Sequence, residues 1–104
     1  MIRIEYIIGQ TLNVVGHAEY DEPGKDIVCA GVSALVYAAV KAVDRLQEQN
    51  RLKSAPTLHL DEGYACISAA PLPGAKKELR IALNTVFDGL CELAKAYPDR
   101  IKII

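Results

Sequence analysis

The residues best suited to chemistry lie between Gly16 and Ala34, where a histidine, a charged loop and a cysteine follow one another in GHAEYDEPGKDIVCAGVSA. A thiol is a weak nucleophile until it is ionised. The first turn of a helix favours the thiolate, because its backbone N–H groups are unpaired and the positive end of the helix dipole lies there. Nucleophilic catalysis also needs a base beside the sulfur. His17 and Cys29 therefore predict a nucleophile and its proton-transfer partner, provided that the fold brings them together.

Asp26 and the small residues after Cys29 bear on the same site. Asp26 is predicted to be the N-cap of a helix, which makes Cys29 its third residue. The carboxylate opposes ionisation of the thiol by like-charge repulsion, so we expect it to bind the helix N–H groups or to orient His17. Gly31 and Ser33 are expected to leave the backbone open to a bound peptide. The first-turn N–H groups, including that of Cys29, are candidates for an oxyanion hole.

The strands that must position His17 follow from hydrophobic alternation. Ile2–Ile8 has apolar residues at every second position and predicts a first strand. Leu12–Ala18 predicts a second strand, which pairs with the first as a hairpin and ends near His17. The segment EYDEPGK, residues 19–25, contains Pro, Gly and charged residues and predicts a mobile, solvated loop.

The remaining elements predict the fold class. Apolar residues at spacings of three and four predict helices over residues 26–49 and 79–97. Two extended segments within residues 57–69 flank a Gly-containing turn and predict a second hairpin, and residues 100–104 predict a last strand. The order is β-β-α-β-β-α-β. It predicts one α+β domain over residues 1–104, with a mostly antiparallel sheet and two helices on it.

Composition excludes several classes of function. Twelve Lys and Arg against thirteen Asp and Glu give a net charge of −1, so direct binding to nucleic acid is not expected. Apolar stretches are broken within about ten residues, short of the ~20 that a membrane span needs. Residues 1–10 do not have the pattern of a signal peptide. These observations predict a cytoplasmic protein.

The cysteines and histidines do not form a recognisable metal or disulfide pattern. Cys29, Cys66 and Cys91 are odd in number and lack a CxxC pair, so each is predicted to be a free thiol. Cys66 and Cys91 are predicted core residues, and His59 is predicted to lie on the surface or to face the hairpin. The spacing of His17, Cys29 and His59 matches no zinc site. Neither a metal nor another cofactor is expected.

The motif GHA, followed by an acidic loop and GKDIVCAGVSA, resembles the ribosomal-processing cysteine protease family, Prp. The resemblance covers the whole chain in size and element order. It implies that Cys29 is the nucleophile, that His17 transfers the proton and that Asp26 is the acid of the motif. It also implies a cysteine endopeptidase that removes a short N-terminal extension from a bacterial large-subunit ribosomal protein, and it implies a homodimer.

Two other functions stay open from the sequence alone. A non-catalytic, ribosome-associated module would use the same loop to hold a peptide without cutting it. A thiol-based redox or transfer enzyme would need a resolving cysteine near Cys29, whereas Cys66 and Cys91 are predicted to lie in the core. Cys29 itself also fits a small apolar core residue, because buried free cysteines are common.

Overall fold

The chain follows the order β-β-α-β-β-α-β in a computed structural model that describes residues 1–22 and 24–104. The elements are β1 (Ile2–Ile7), β2 (Thr11–Gly16), α1 (Ile27–Glu48), β3 (Thr57–Asp61), β4 (Tyr64–Ser68), a short 3₁₀ turn (Pro73–Ala75), α2 (Lys76–Ala96) and β5 (Ile101–Ile103). The predicted order and the α+β class are confirmed. The predicted loop over residues 19–25 includes Pro23, which lies outside the described residues.

The five strands form one mixed sheet in the order β3-β4-β2-β1-β5. The pairs β1–β2 and β3–β4 are antiparallel, as the two predicted hairpins require, and β2–β4 is antiparallel as well. In contrast, β5 pairs with β1 in parallel and sets Ile101 opposite Ile2. The turn that precedes β5 therefore lies beside the start of β1. The start of β1 also pairs with the end of β2, which leads into His17.

Alternation along the strands buries one face of the sheet beneath the two helices. The largest fully buried side chains of this core are Ile2, Ile4, Leu12, Ile67, Leu79, Leu83, Leu90, Val28 and Val43. Burying each such side chain stabilises the fold by roughly 1.5–3 kcal/mol relative to leaving it exposed. The opposite face carries exposed polar residues such as Arg3, Glu5 and His59. This open face lies away from the helices.

Strand β1 is one residue shorter than its apolar pattern predicts. Ile8 continues the alternation of Ile2 and Ile4, yet it is 67% exposed. The strand ends at Ile7, and the chain then turns through Gly9, whose φ is +68°. The turn removes Ile8 from the sheet, so its side chain does not reach the core.

Cys66 is not the core residue that its apolar strand predicts. It lies between Ala65 and Ile67, which are buried, so alternation turns its side chain to the open face of the sheet. There it is only partly buried, as is Cys91 on α2. The prediction that both thiols belong to the core is therefore wrong, whereas the prediction that they are not disulfide-bonded is confirmed.

Two glycines allow the helices to pack closely. A Cβ atom at Gly31 would lie 3.3 Å from Cδ1 of Leu93, and one at Gly89 would lie 3.0 Å from Cδ2 of Leu35. The small size of Gly31 therefore serves the contact between α1 and α2, and not peptide binding as expected from the sequence. Because Gly31 is two residues beyond Cys29, this contact also sets the position of the first turn of α1.

Helix α1 is long and apolar enough to cross a membrane by length and composition alone. Residues 27–40 carry no charged side chain, which accounts for this apolar composition. In this fold Val28, Val32 and Val36 of the same helix are buried in the core. A core helix has the same composition, so the test alone does not place α1 in a membrane.

Candidate active site

Cys29 lies in the first turn of α1, as predicted, and Asp26 caps that turn. The Asp26 Oδ1 atom accepts hydrogen bonds from the backbone N–H groups of Val28 and Cys29, each at 3.0 Å. A side-chain cap of this kind stabilises a helix by about 1 kcal/mol. The Cys29 side chain is partly buried at the positive end of the helix dipole. This is the environment in which a thiolate is stabilised.

The second oxygen of Asp26 joins this turn to the loop. Its Oδ2 atom accepts hydrogen bonds from the N–H groups of Tyr20, at 2.9 Å, and Asp21, at 3.4 Å. One carboxylate thus binds four backbone N–H groups from two separate segments. As expected from the sequence, its charge is directed towards helix N–H groups.

The charge state of Asp26 follows from these contacts. Burial raises the pKa of its carboxyl group, but the hydrogen bonds from Cys29, Tyr20 and Asp21 outweigh burial and lower the pKa below the ordinary value of 3.8. A lowered pKa in the folded state means that ionised Asp26 stabilises the fold above its unfolded pKa. That contribution is lost as the pH falls through the folded value, so the junction is complete at neutral pH.

Three N–H groups at the start of α1 are not free to form the oxyanion hole that the sequence suggested. The N–H groups of Val28 and Cys29 donate to the Asp26 carboxylate, and that of Ala30 donates to the Asp26 carbonyl oxygen at 3.0 Å. Donors held by these partners are not free to stabilise charge that develops on a substrate. The expectation for the Cys29 N–H group is therefore wrong.

His17 directly follows β2, and the β3–β4 turn supports its side chain. The N–H group of Gly16 donates to the carbonyl oxygen of Gly63 at 2.8 Å. A Cβ atom at Gly63 would lie 2.6 Å from Nε2 of His17, so the imidazole occupies space that only glycine leaves free. The φ of Gly63 is +73°, which also favours glycine. Gly63 is thus a site residue that sequence reasoning treated only as part of a turn.

Cys29 lies against the backbone of Ala18, the residue that follows His17. The N–H group of Ala18 lies 3.4 Å from the Cys29 Sγ atom and donates a hydrogen bond to it. Within residues 1–22 and 24–104, no hydrogen bond joins the His17 imidazole to the sulfur. Both side chains nevertheless line the same cleft. The structure therefore brings the two predicted residues into one cavity, with the sulfur already bound by a backbone donor.

The cleft has the size and charge to receive a peptide. Its volume is about 1050 Å³, and its walls come from α1, the β3–β4 hairpin and the loop after β2. The acidic residues that line it are Glu19, Asp21, Asp26, Asp61 and Glu62. Among the described lining residues there is no Lys or Arg. The resulting negative potential favours a ligand segment that carries positive charge.

The α1 wall of the cleft extends beyond Cys29. Ser33, one turn further along the helix, is exposed and lines the cleft. Tyr37 follows after another turn, is 60% exposed and lines the cleft as well. Leu60 faces the cleft from β3 and is 43% exposed. Sequence periodicity did not single out Tyr37 or Leu60, because exposed apolar residues carry no pattern of their own.

The remaining thiols and the second histidine lie outside the cleft lining. His59 packs against Tyr64, with ring centroids 5.3 Å apart. On α2, burial and then the charge of Asp88 raise the pKa of the Cys91 thiol. In the part of the chain that the structure describes, no three or more His, Cys, Asp or Glu side chains are grouped to hold a metal ion.

Known proteins share this sequence and fold. The family model described as Cysteine protease Prp matches residues 1–102. The Ribosomal processing cysteine protease Prp of Bacillus subtilis (strain 168) is 52% identical over 95 residues, covering 89% of this chain and 82% of that protein. The protein of the same name from Staphylococcus aureus (strain NCTC 8325) is 27% identical over 97 residues, covering 91% of this chain and 87% of that protein.

A solved structure shows the same likeness in three dimensions. The crystal structure of the essential ribosomal processing protease Prp from S. aureus, in complex with a covalently linked product peptide, matches with a TM-score of 0.80. The two chains are 25% identical, and the match covers 99% of this chain and 97% of the other. The likeness therefore extends over both helices and all five strands.

The contact between Gly63 and His17 predicts a selective effect of one methyl group. In Gly63→Ala, the added Cβ displaces the imidazole, and the left-handed backbone lowers stability by about 1–2 kcal/mol. The chain has only two histidines, so the imidazole NMR resonances of His17 are readily separated from those of His59. We expect the His17 resonances to shift and those of His59 to stay in place.

Gly9→Ala is the matched control for this variant. Gly9 has a φ of +68°, close to that of Gly63, but a Cβ there would meet only Arg80, at an ordinary 3.4 Å. Both variants should therefore lose similar stability in thermal unfolding, whereas only Gly63→Ala should move His17. Unchanged His17 resonances in Gly63→Ala would contradict the contact.

Proposed function

The chain belongs to the cysteine protease Prp family, and on that premise we propose that it removes a short N-terminal extension from a bacterial large-subunit ribosomal protein. Cys29 is the nucleophile and His17 is the proton-transfer residue in this proposal. The observation that carries the assignment is the placement of Cys29 in the first turn of α1, in the same cleft as His17. Asp26 supports the site by joining the loop to the helix.

The chemistry proceeds through an acyl-enzyme. The Cys29 thiolate attacks the carbonyl carbon of the scissile peptide bond and forms a C–S bond. The imidazolium of His17 then donates its proton to the leaving amine as the C–N bond breaks, which leaves a thioester on Cys29. Neutral His17 next takes a proton from water, whose oxygen attacks the thioester. Release of the new carboxylate restores the thiolate and the imidazolium.

The cleft supports a peptide substrate of particular charge. Five acidic residues line it without a neighbouring Lys or Arg in the described lining. A substrate segment with basic side chains is attracted to such a surface. The relatives from B. subtilis and S. aureus carry the name ribosomal processing cysteine protease. A ribosomal protein, which binds RNA and is rich in Lys and Arg for that purpose, supplies such segments.

Matched variants test the proposed dyad. With a synthetic peptide that copies the extended N-terminus of the ribosomal protein, Cys29→Ala should abolish cleavage. His17→Ala should lower the rate at least ~10²-fold, the loss expected for a positioned acid–base group. Mass spectrometry of the cleaved peptide measures both rates. Cys66→Ala and His59→Ala change the same residue types outside the cleft and should cleave at the rate of the unaltered protein.

The outcomes separate the protease from a binding module. If Cys29→Ala still cleaves the peptide, Cys29 is not the nucleophile. If His17→Ala cleaves at the normal rate, His17 has no part in the mechanism. Tight binding of the peptide by the unaltered protein, without any cleavage, would favour the non-catalytic peptide-binding module instead.

The three thiols of the chain provide an internal comparison of reactivity. Cys29 has the helix N-terminus and the Ala18 N–H group to stabilise its anion, whereas burial raises the pKa of Cys91. At about pH 6 an ordinary thiol of pKa ~8.5 is almost wholly protonated. Limiting iodoacetamide at this pH should therefore label Cys29 first in peptide mapping, and activity should fall in proportion. Equal labelling of Cys66 or Cys91 would contradict an activated nucleophile.

The proposed assembly is a homodimer that acts in the cytoplasm, without a cofactor or direct binding to nucleic acid. Helix α1 supports self-association because residues 27–40 are uncharged and Ile27 is 58% exposed. Such an apolar surface is suited to pack against a second copy of the chain. Sedimentation should give about 23 kDa, twice the 11.3 kDa of one chain. A single species of monomer mass at micromolar concentration would contradict the dimer.

A further inference from the structure

The turn between α2 and β5 lies against the segment that follows His17, although the two are some eighty residues apart in sequence. Arg100 Nη1 donates a hydrogen bond to the carbonyl oxygen of Glu19 at 2.7 Å and a longer one to that of Ala18 at 3.4 Å. Its guanidinium also lies 6.0 Å from the centre of the Tyr20 ring. One side chain thus contacts three consecutive residues of the loop.

Tyr97 completes this contact. Its ring meets that of Tyr20 edge to face, with centroids 5.4 Å apart, which is an arrangement that aromatic pairs prefer. Tyr97 caps the end of α2, and its carbonyl oxygen accepts the Arg100 N–H group at 2.9 Å. The surface against which residues 18–20 rest is therefore built on a helix end and a strand start, both of which belong to the ordered fold.

The supported segment has a backbone that needs support. Glu19 has a φ of +54°, which is uncommon for a residue with a side chain and costs roughly 1–2 kcal/mol. Arg100 binds the carbonyl oxygens on both sides of this residue's strained φ, that is, those of Ala18 and Glu19. Ala18 is only 1% exposed, so its peptide groups have little freedom once these carbonyls are held.

This segment controls the only backbone donor that meets the Cys29 sulfur within the described residues. The Ala18 N–H group lies 3.4 Å from Sγ. A hydrogen bond to an ionised group contributes about 1.5–3 kcal/mol, and it favours the ionised form. Movement of Ala18 would lengthen and weaken this hydrogen bond to the sulfur. The side chain that holds the Ala18 carbonyl therefore acts on the thiol through the backbone.

We propose that Arg100 is a positioning residue of the active site, because its guanidinium holds Ala18 and Glu19 so that the Ala18 N–H group stabilises the Cys29 thiolate. This inference rests on the proposed role of Cys29 as nucleophile. Arg100 does not line the cleft and touches no reacting atom. Its effect on the reaction passes through the backbone of Ala18, from the carbonyl oxygen to the N–H group.

The main chain at Arg100 is held independently of its side chain. The Ile2 N–H group donates to the Arg100 carbonyl oxygen at 2.8 Å, and β5 pairs with β1 over the next three residues. Arg100→Met retains an unbranched apolar stem beside Tyr20 and removes all the guanidinium donors. The variant should therefore fold. Lys102→Ala is the control, since Lys102 is an exposed cation on β5, two residues beyond Arg100, and makes no hydrogen bond to the described residues of the loop.

The test measures the rate of Cys29 alkylation by iodoacetamide as a function of pH, with Cys91 followed in the same sample. For Arg100→Met we expect labelling of Cys29 at about pH 6 to slow roughly tenfold, which corresponds to about 1.4 kcal/mol of lost stabilisation. The pH profile of labelling should move to higher pH. Labelling of Cys91 should not change. Arg100→Lys, which keeps a charged donor, should recover part of the rate, and Lys102→Ala should match the unaltered protein.

Two results would overturn the inference. One is an unchanged pH profile for Cys29 in Arg100→Met. The other is faster labelling of Cys29 and Cys91 together, which would mean that Arg100 only stabilises the fold. Alkylation does not depend on peptide cleavage, so this test can fail while the protease assignment stands. Conversely, a Cys29→Ala protein that still cleaves the peptide would remove the nucleophile assignment and leave the measured effect of Arg100 on the thiol intact.

Discussion

The site depends on one carboxylate that is shared between two pieces of backbone. Asp26 binds N–H groups of the first turn of α1 with one oxygen and N–H groups of the loop with the other. A neutral or shorter side chain cannot offer this many acceptor positions to two segments at once. The location of the thiol and the path of the loop are consequently set by the same group, and neither can move without breaking hydrogen bonds of the other.

This junction has a cost that the fold offsets elsewhere. A carboxylate three residues before a thiol disfavours the thiolate through charge repulsion. Its hydrogen bonds disperse that charge over backbone donors, while the helix dipole and the Ala18 N–H group act in the opposite direction. Arg100 adds a cation that contacts the loop from outside the cleft lining. The cleft lining itself stays acidic, because Arg100 is not part of it.

Much of the architecture can be predicted from local sequence patterns, because alternation and helical spacing are properties of neighbouring residues. Asp26 as a cap, the long α1 stripe and both hairpins are of this kind. Local sequence patterns do not predict a contact between residues that are far apart in the chain. Nothing beside Gly63 marks its contact with His17, nothing beside Gly31 marks Leu93, and nothing beside Arg100 marks the carbonyls of residues 18 and 19. Cys66 shows the limit of composition, since an apolar strand has two faces and only one enters the core.

The parallel pairing of β5 with β1 has a consequence for how the molecule is made. Ile2 can find Ile101 only after almost the whole described chain has been synthesised, and the contacts of Arg100 to Ala18 and Glu19 depend on the same stretch. A nascent chain therefore carries its histidine and its cysteine long before it carries the residues that hold the segment between them. Long-range pairings of this type are the slow steps of folding. On the ribosome, the assembled cleft is a late product of translation, and the growing polypeptide passes through most of its synthesis without it.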